Sequence, residues 1–198
     1  MVQIAYEERE QADLRVQRTR RLIFQAFIAL TIERGFGSLT VRDIAERAGI
    51  NRSTFYRHYL DKYALLEAYM AEIAALTEAA PASAGGRGLR GPVALLRHIQ
   101  QHADFYQSML GNRCEPVFVE HFRRNTEQHL RAWLVRHEQA GGAPAELWIR
   151  SLAYAGIGAI RWWLEEGRAI SPEQMAAWMD DMTVGVAGPL EKGQPSAA

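Results

Sequence analysis

The chain has 198 residues, 48% of them hydrophobic, a formal net charge of zero and one cysteine, Cys114. That length suits one domain or two small ones, and the hydrophobic content excludes a disordered chain. A lone cysteine excludes an internal disulfide and a Cys-based zinc finger, and no run of about eighteen apolar residues is present to span a membrane. A cytoplasmic protein is the expectation, since residues 1–13 also lack the apolar segment of a signal peptide.

The neutral total hides an uneven distribution. From Arg15 to Lys62, ten Lys/Arg stand against four Asp/Glu, a net of +6, whereas from Tyr63 onward twelve stand against fifteen, a net of −3. A basic end on a mildly acidic body is the footprint of a nucleic-acid-binding module joined to something else.

In chain order, residues 1–13 form a polar lead-in. Arg15, Arg18, Arg20 and Arg21 follow, either as a solvated helix start or as an arm toward DNA. Arg18 to Arg34 has one apolar row at Ile23, Phe27 and Leu30 and a second at Phe24, Ile28 and Ile32, which predicts a helix ended by Gly35 and Gly37. Leu39 to Lys62 then predicts two short helices joined by a tight turn. Thr40 caps the first, Gly49 stops it, Ile50 anchors the turn, and Asn51 caps a second over Arg52 to Tyr59. Phe55 and Tyr59 share its inner face at i, i+4, leaving Arg52, Ser53, Tyr56 and Arg57 to point outward. Cations, hydroxyls and an aromatic on such a face suit a helix that reads the major groove.

Asp61 is placed to cap a further helix from Lys62 to about Ala79, with no linker before it. Residues 81–91 are a Gly/Ser-rich loop, with no Gly-Lys-Ser/Thr sequence to hold a phosphate. Helices are expected from Pro92 to the break at Gly111-Asn112, from Pro116 to about Gln139, from Ala145 to Glu166, and from Ser171, with Pro172 at its first position. No strand pattern appears. The expected fold is all-α with about nine helices: a helix-turn-helix domain over 1–62, a further helical domain over 63–190, and a disordered tail over 191–198.

Phe24-x-x-Ala-Phe-x-x-Leu-x-x-Glu-Arg-Gly35, Leu39-Thr-Val-Arg-Asp-Ile-Ala45, Ala48-Gly-Ile50 and Ser53-Thr-Phe-Tyr-Arg-His-Tyr-Leu-Asp-Lys62 closely resemble the tetracycline-repressor-like (TetR) family of bacterial transcription regulators. The resemblance covers about the first 65 residues. Beyond them, the layout of the helices is similar to TetR members grouped with the dihydroxyacetone-kinase regulator. The resemblance implies a homodimer on a pseudo-palindromic double-stranded DNA operator, with 63–190 as the effector-binding and dimerisation domain and a small-molecule effector releasing the operator. It implies that Thr40 and Arg42 touch phosphates, that Arg52, Ser53 and Arg57 face base edges with Thr54 near a phosphate, and that Tyr56, His58 and Lys62 clamp the backbone. Ser53 and Tyr59 depart from the Gly and Phe frequent in the family, which bears on base preference.

Each of these residues has a plainer alternative. Arg52 and Arg57 fit guanine bidentately or simply neutralise phosphates. Ala153, Ala155, Gly156, Gly158 and Ala159, beside Trp162 and Trp163, allow close helix packing either between two subunits or within one. Phe105, Tyr106, Met109, Phe118, Phe122, Trp133, Trp148, Tyr154 and Trp162 form either an aromatic effector pocket or ordinary core. His98/His102 and His121/His129 are the candidate metal ligands, with solvated histidines as the alternative; no zinc motif accompanies them, and neither metal nor cofactor is expected. Cys114 is a structural or a redox-sensing thiol. The rival functions are an all-α metal-binding protein or enzyme, and a co-regulator acting through a protein partner.

Overall fold

Between Val2 and Arg34 the chain contains neither glycine nor proline, and Ala, Glu, Gln and Arg dominate its first half. In the computed structural model this whole segment is one helix, α1 (Val2–Arg34), so the lead-in belongs to the helix rather than preceding it. Good helix formers extend a helix once its apolar end is held by packing. The structure describes residues 2–78, 92–111, 115–136, 143–166 and 169–191. The loop at 81–91, Cys114, the side chain of Trp133 and residues 192–198 lie outside the described set.

The chain divides into two units, residues 1–69 and 70–198. In the first, α1 ends where Gly35 turns to φ 78°. Ser38 Oγ lies 2.9 and 3.0 Å from the carbonyls of Arg34 and Gly35 and shares its one O–H between these oxygens at the helix end. A 3-10 turn, Phe36–Ser38, buries Phe36 edge-on against Phe27, with ring centroids 6.0 Å apart. Then come α2 (Val41–Arg47), α3 (Arg52–Tyr56) and the start of α4 (Lys62–Glu78). Ile23, Phe27, Leu30, Ile44, Phe55, Leu65 and Leu66 form the core. The second apolar row of α1 fans outward: Phe24 is buried, Ile28 half-buried and Ile32 exposed. The boundary falls within α4, later than the expected 62/63, because Tyr69 packs on Phe24 and Phe27 of α1 at 5.6 and 6.0 Å.

The second unit holds α5 (Pro92–Gln101), α6 (Ala103–Leu110), α7 (Pro116–Arg136), α8 (Ala143–Glu165) and α9 (Pro172–Glu191). The expected helix from Pro92 to Gly111 is two, broken at His102, whose φ/ψ of −116°/34° leave the helical region. α8 packs on α6, α7 and α9, and α5 packs on α6 and α9. Leu130 and Leu134 of α7 meet Ala145, Trp148, Ile149 and Leu152 of α8 in one buried cluster. Arg131 reaches from α7 to Glu146 at 2.8 Å, and Arg97 from α5 to Glu173 at 2.7 Å. Ser171 Oγ accepts from Gln174 N at 3.2 Å and starts α9 as its position predicts. Among the described residues there are nine α-helices and no strand, and none of these helices is long and apolar enough to cross a membrane.

The turn after α2 rests on Gly49 at φ 66°, a conformation that costs other residues roughly 1–2 kcal/mol. No neighbour lies within 4 Å of where a Cβ would sit, so the requirement is the dihedral and not space. Gly49→Ala is expected to lower the stability of the N-terminal unit by about 1 kcal/mol. Urea unfolding followed by circular dichroism measures it, and an unchanged midpoint would mean that the turn tolerates a side chain.

Candidate nucleic-acid interface

α2 begins with a reciprocal cap. Thr40 Oγ1 accepts from Asp43 N at 3.2 Å, and Asp43 Oδ2 accepts from Thr40 N at 3.0 Å. Bonding from the Thr40 side chain and backbone, aided by Arg34 and Arg42, holds the Asp43 carboxyl below the usual carboxylate range. At the other end, Gly49 N donates to Glu46 O at 3.2 Å and Ile50 N to Ala45 O at 3.0 Å. This paired closure sets the direction in which the chain leaves α2. Arg47 reaches back to Glu33 of α1 through two bonds of 2.8 and 2.7 Å, fixing α2 on its support.

α3 follows at once. Asn51 stands at its N-cap, but only the backbone does the capping. Its carbonyl accepts from Thr54 N and Phe55 N at 2.9 and 3.2 Å, and its side chain makes no cap bond, in contrast to the sequence expectation. The regular helix ends at Tyr56 rather than Tyr59, and the last turn closes through His58 N and Tyr59 N, which both donate to Phe55 O. Phe55 and Tyr59 are buried, with ring centroids 5.8 Å apart, and Tyr59 also lies 6.0 Å from Phe24. Arg20 Nε donates to the Tyr59 hydroxyl at 3.3 Å. On the opposite side Arg52, Ser53, Tyr56 and Arg57 are exposed, Tyr56 by 56%.

The other predicted contact residues are more committed. Arg42 bonds to Glu46 along the surface of α2 at 2.8 Å. Thr54 is half-buried, and its hydroxyl accepts from Arg57 at 3.2 Å. His58 is half-buried and titrates below its ordinary value through burial and then the charges of Arg57 and Arg20. Lys62 donates to the carbonyls of Phe36 and Gly37 at 3.0 and 2.9 Å and sits over the Phe36 ring at 4.8 Å. Two of its three N–H bonds therefore brace the 3-10 turn. Asp61 caps α4 by accepting from Tyr63 N and Ala64 N at 2.9 and 2.8 Å. The Arg47–Glu33 and Arg20–Tyr59 bonds were not legible in the sequence, since their partners stand 14 and 39 residues apart with no local periodicity between them.

Residues 23–69 match the model of bacterial regulatory proteins of the tetR family, and residues 90–185 match that of a transcriptional regulator C-terminal region. The chain belongs to the TetR family. Members are DNA-binding transcriptional regulators and not enzymes. The uncharacterized HTH-type transcriptional regulator YxbF of Bacillus subtilis (strain 168) is 39% identical over 62 residues, which take in 31% of this chain and only 16% of that relative. A TetR transcriptional regulator from Streptococcus agalactiae 2603V is similar in structure over 88% of this chain and 98% of its own, at 27% identity and a TM-score of 0.63. The dihydroxyacetone kinase operon activator DhaS shares the fold over 84% of this chain and 94% of its own, at 21% identity and a TM-score of 0.60.

In the C-terminal unit of this TetR-family chain, the predicted aromatic set divides. Phe105, Tyr106, Met109, Phe118, Phe122 and Trp148 are buried, and Phe105, Tyr106 and Phe118 close on one another edge-on at 5.5 to 6.0 Å. Rings in mutual contact are core and leave no room between them. Tyr154 and Trp162 are 60% and 43% exposed on the outer side of α8, so they line no cavity with the others; Trp163 is the buried member of its pair, and its Nε1 donates to Ile170 O at 3.0 Å. A cleft of about 220 Å³ lies elsewhere, lined by Gln100, Ala103, Trp163 and Leu164.

The rings of His98 and His102 are tilted by 43° with centroids 4.5 Å apart, while His129 Nδ1 lies 2.7 Å from Asn125 O on its own helix. Among the described residues no three His, Cys, Asp or Glu converge as a metal site. Burial, with His102 second, pushes the His98 imidazole down to about 4 from 6.5. The unfolded chain therefore binds more protons between those values, so stability is full above about pH 6.5 and falls as pH drops toward 4. His98→Gln is expected to flatten that part of the melting temperature–pH profile, and a profile as steep as the wild type's would assign the loss to other groups.

Proposed function

We propose that the protein is a homodimeric repressor that binds a pseudo-palindromic DNA operator through α2 and α3 and leaves it when a small molecule binds the C-terminal unit. The observation that carries this reading is the division of α3 and the turn after it into a buried side, Phe55 and Tyr59, and an exposed side, Arg52, Ser53, Tyr56 and Arg57. That side presents a guanidinium at each end, suited to guanine O6 and N7 in the major groove, with a hydroxyl and a phenol between. Thr40, at the N-terminus of α2, and Thr54 are assigned to phosphates. Arg42 joins them by exchanging Glu46 for a phosphate oxygen, and His58 and the third N–H of Lys62 complete the backbone contacts.

The dimer is assigned to the outer faces of α8 and α9. Leu147, Tyr154 and Trp162 of α8 and Trp178 and Met182 of α9 are exposed apolar residues at helical spacing. Gly158 stands among them with nothing within 4 Å of its Cβ position, which lets a second helix approach closely. For the effector, the cleft at Gln100 and Trp163 offers an indole, two aliphatic walls and one amide, which suits a small apolar or aromatic molecule with one polar group. Its binding would favour a dimer whose recognition helices no longer match half-sites about 34–36 Å apart. α4, whose residues belong to both units, is the proposed lever.

Duplexes selected from a random library by the wild-type protein supply an operator for a gel shift at fixed salt. Arg52→Ala and Tyr56→Ala are each expected to weaken binding at least tenfold, on the scale of a single base or phosphate interaction. Undiminished binding in both would remove α3 from the reading role. Tyr154→Glu with Trp162→Glu is expected to convert the dimer to monomer in sedimentation velocity. A dimer that persists would place the interface on another face.

A further inference from the structure

Apart from Arg20 and the α3 pair Arg52 and Arg57, the described cations of unit 1 differ in how they are paired. Arg34, Arg42 and Arg47 have acidic partners, and Lys62 bonds to carbonyls. Arg15, Arg18 and Arg21 are exposed on α1 and, among the described residues, have no acidic partner. From Leu14 to Ile32 the helix contains no Asp or Glu at all. At about 100° per residue the three arginines lie within one third of the helix circumference, and at 1.5 Å per residue they cover about 9 Å of its length. Like charges gathered this way repel one another unless a polyanion neutralises them.

Their position ties them to α3. Arg20, next to Arg21, bonds to Tyr59 at the end of the recognition segment. Arg20 and Arg57 both lie close enough to His58 to depress its titration. Arg20 therefore carries positive charge from α1 to the end of the recognition segment, and Arg21, Arg18 and Arg15 continue it along another side of the same helix. The exposed aliphatics of the same stretch, Leu14, Val16 and Leu22, are scattered around the helix rather than gathered on one side, so this is not a helix built to lie in a membrane surface.

We propose that Arg15, Arg18 and Arg21 form a second DNA-binding surface that grips backbone phosphates beside the bases read by α3. The surface rests on the DNA-binding role proposed above and adds sequence-independent affinity to it, because phosphates carry no base information. It also lies on the part of α1 that precedes the residues shared with the family, so it sets this chain's grip apart from the common helix-turn-helix.

The test uses the full chain and a labelled duplex of about 40 base pairs of mixed sequence, with fluorescence anisotropy from about 50 to 200 mM salt. The variant R15Q/R18Q/R21Q is expected to bind more weakly, with the plot of log K against log salt shallower by about 1 for each phosphate it no longer neutralises. The variant R15K/R18K/R21K keeps the charge and is expected to retain the wild-type slope, which separates phosphate neutralisation from a disturbed helix. An unchanged slope in the glutamine variant overturns the second surface while leaving α3 intact, as does a lysine variant as impaired as the glutamine one. Wild-type protein that fails to bind the duplex at the lowest salt overturns the DNA-binding role itself.

Discussion

A helix of five residues cannot hold itself together, because nucleation fixes several dihedrals before any hydrogen bond compensates. α3 exists because Phe55 and Tyr59 are buried against the unit's core. Burying a side chain the size of phenylalanine contributes about 2 kcal/mol, against about 1 kcal/mol net for any one backbone hydrogen bond. Everything exposed on α3 inherits its position from those two rings. The surrounding bonds refine that position without creating it. The Gly49 closure sets the angle between α2 and α3, Arg47 ties α2 to Glu33, and Arg20 holds the Tyr59 hydroxyl.

The same unit sorts its charges by task. Its exposed salt bridges each contribute little stability, so their effect is chiefly to occupy particular cations and to orient α2. Among the described residues, Arg52 and Arg57 are left without acidic partners on a side that the core does not need, and Asp61 faces inward along its own helix as a cap. Lys62 shows the limit of assigning roles by motif. Its position suggests a phosphate clamp, yet its ammonium is held by two carbonyls and two rings. Any contact with DNA there is made by a group already fixed in place, which reduces the entropy lost on binding.

The N-terminal unit was legible because its signals are local. Thr40, Gly49, Ile50 and Asp61 act on neighbours within about five residues, and the i, i+4 pair Phe55 and Tyr59 states its own face. The exposed or buried fate of single rings in the C-terminal unit depends on which helix covers which side, and no short-range pattern carries that. Trp162 and Trp163 are adjacent and chemically identical, but one is exposed and the other buried with its indole N–H satisfied. The break at His102 was hidden because nothing in Gln101-His102-Ala103 is a helix breaker, so the kink is imposed by packing. The reach of α1 to Val2 escaped for the opposite reason, since a polar helix with no apolar stripe carries little periodic signal.

The run from Ala153 to Ala159 shows how one local feature serves two partners. Ala153 is buried and Gly156 faces Met179, whose Cε lies 3.6 Å from the glycine's Cβ position, so these small residues let α9 pack closely within the chain. Ala155 and Gly158 stand on the other side with Tyr154 and Trp162, where the described residues supply no covering helix. A helix that is apolar on two sides needs two neighbours to bury both. The two packing alternatives open in the sequence are therefore not exclusive, because each claims a different half of the same seven residues. Association through the outer half would add its burial to the stability of the C-terminal unit, making that stability depend on protein concentration. A molecule that alters how α5, α6 and α8 pack around the cleft at Trp163 would then act on the helix that also carries the outer face. In such an arrangement sensing and association share one element, and the constraint that links them is the rigidity of a close-packed helix rather than a dedicated pathway.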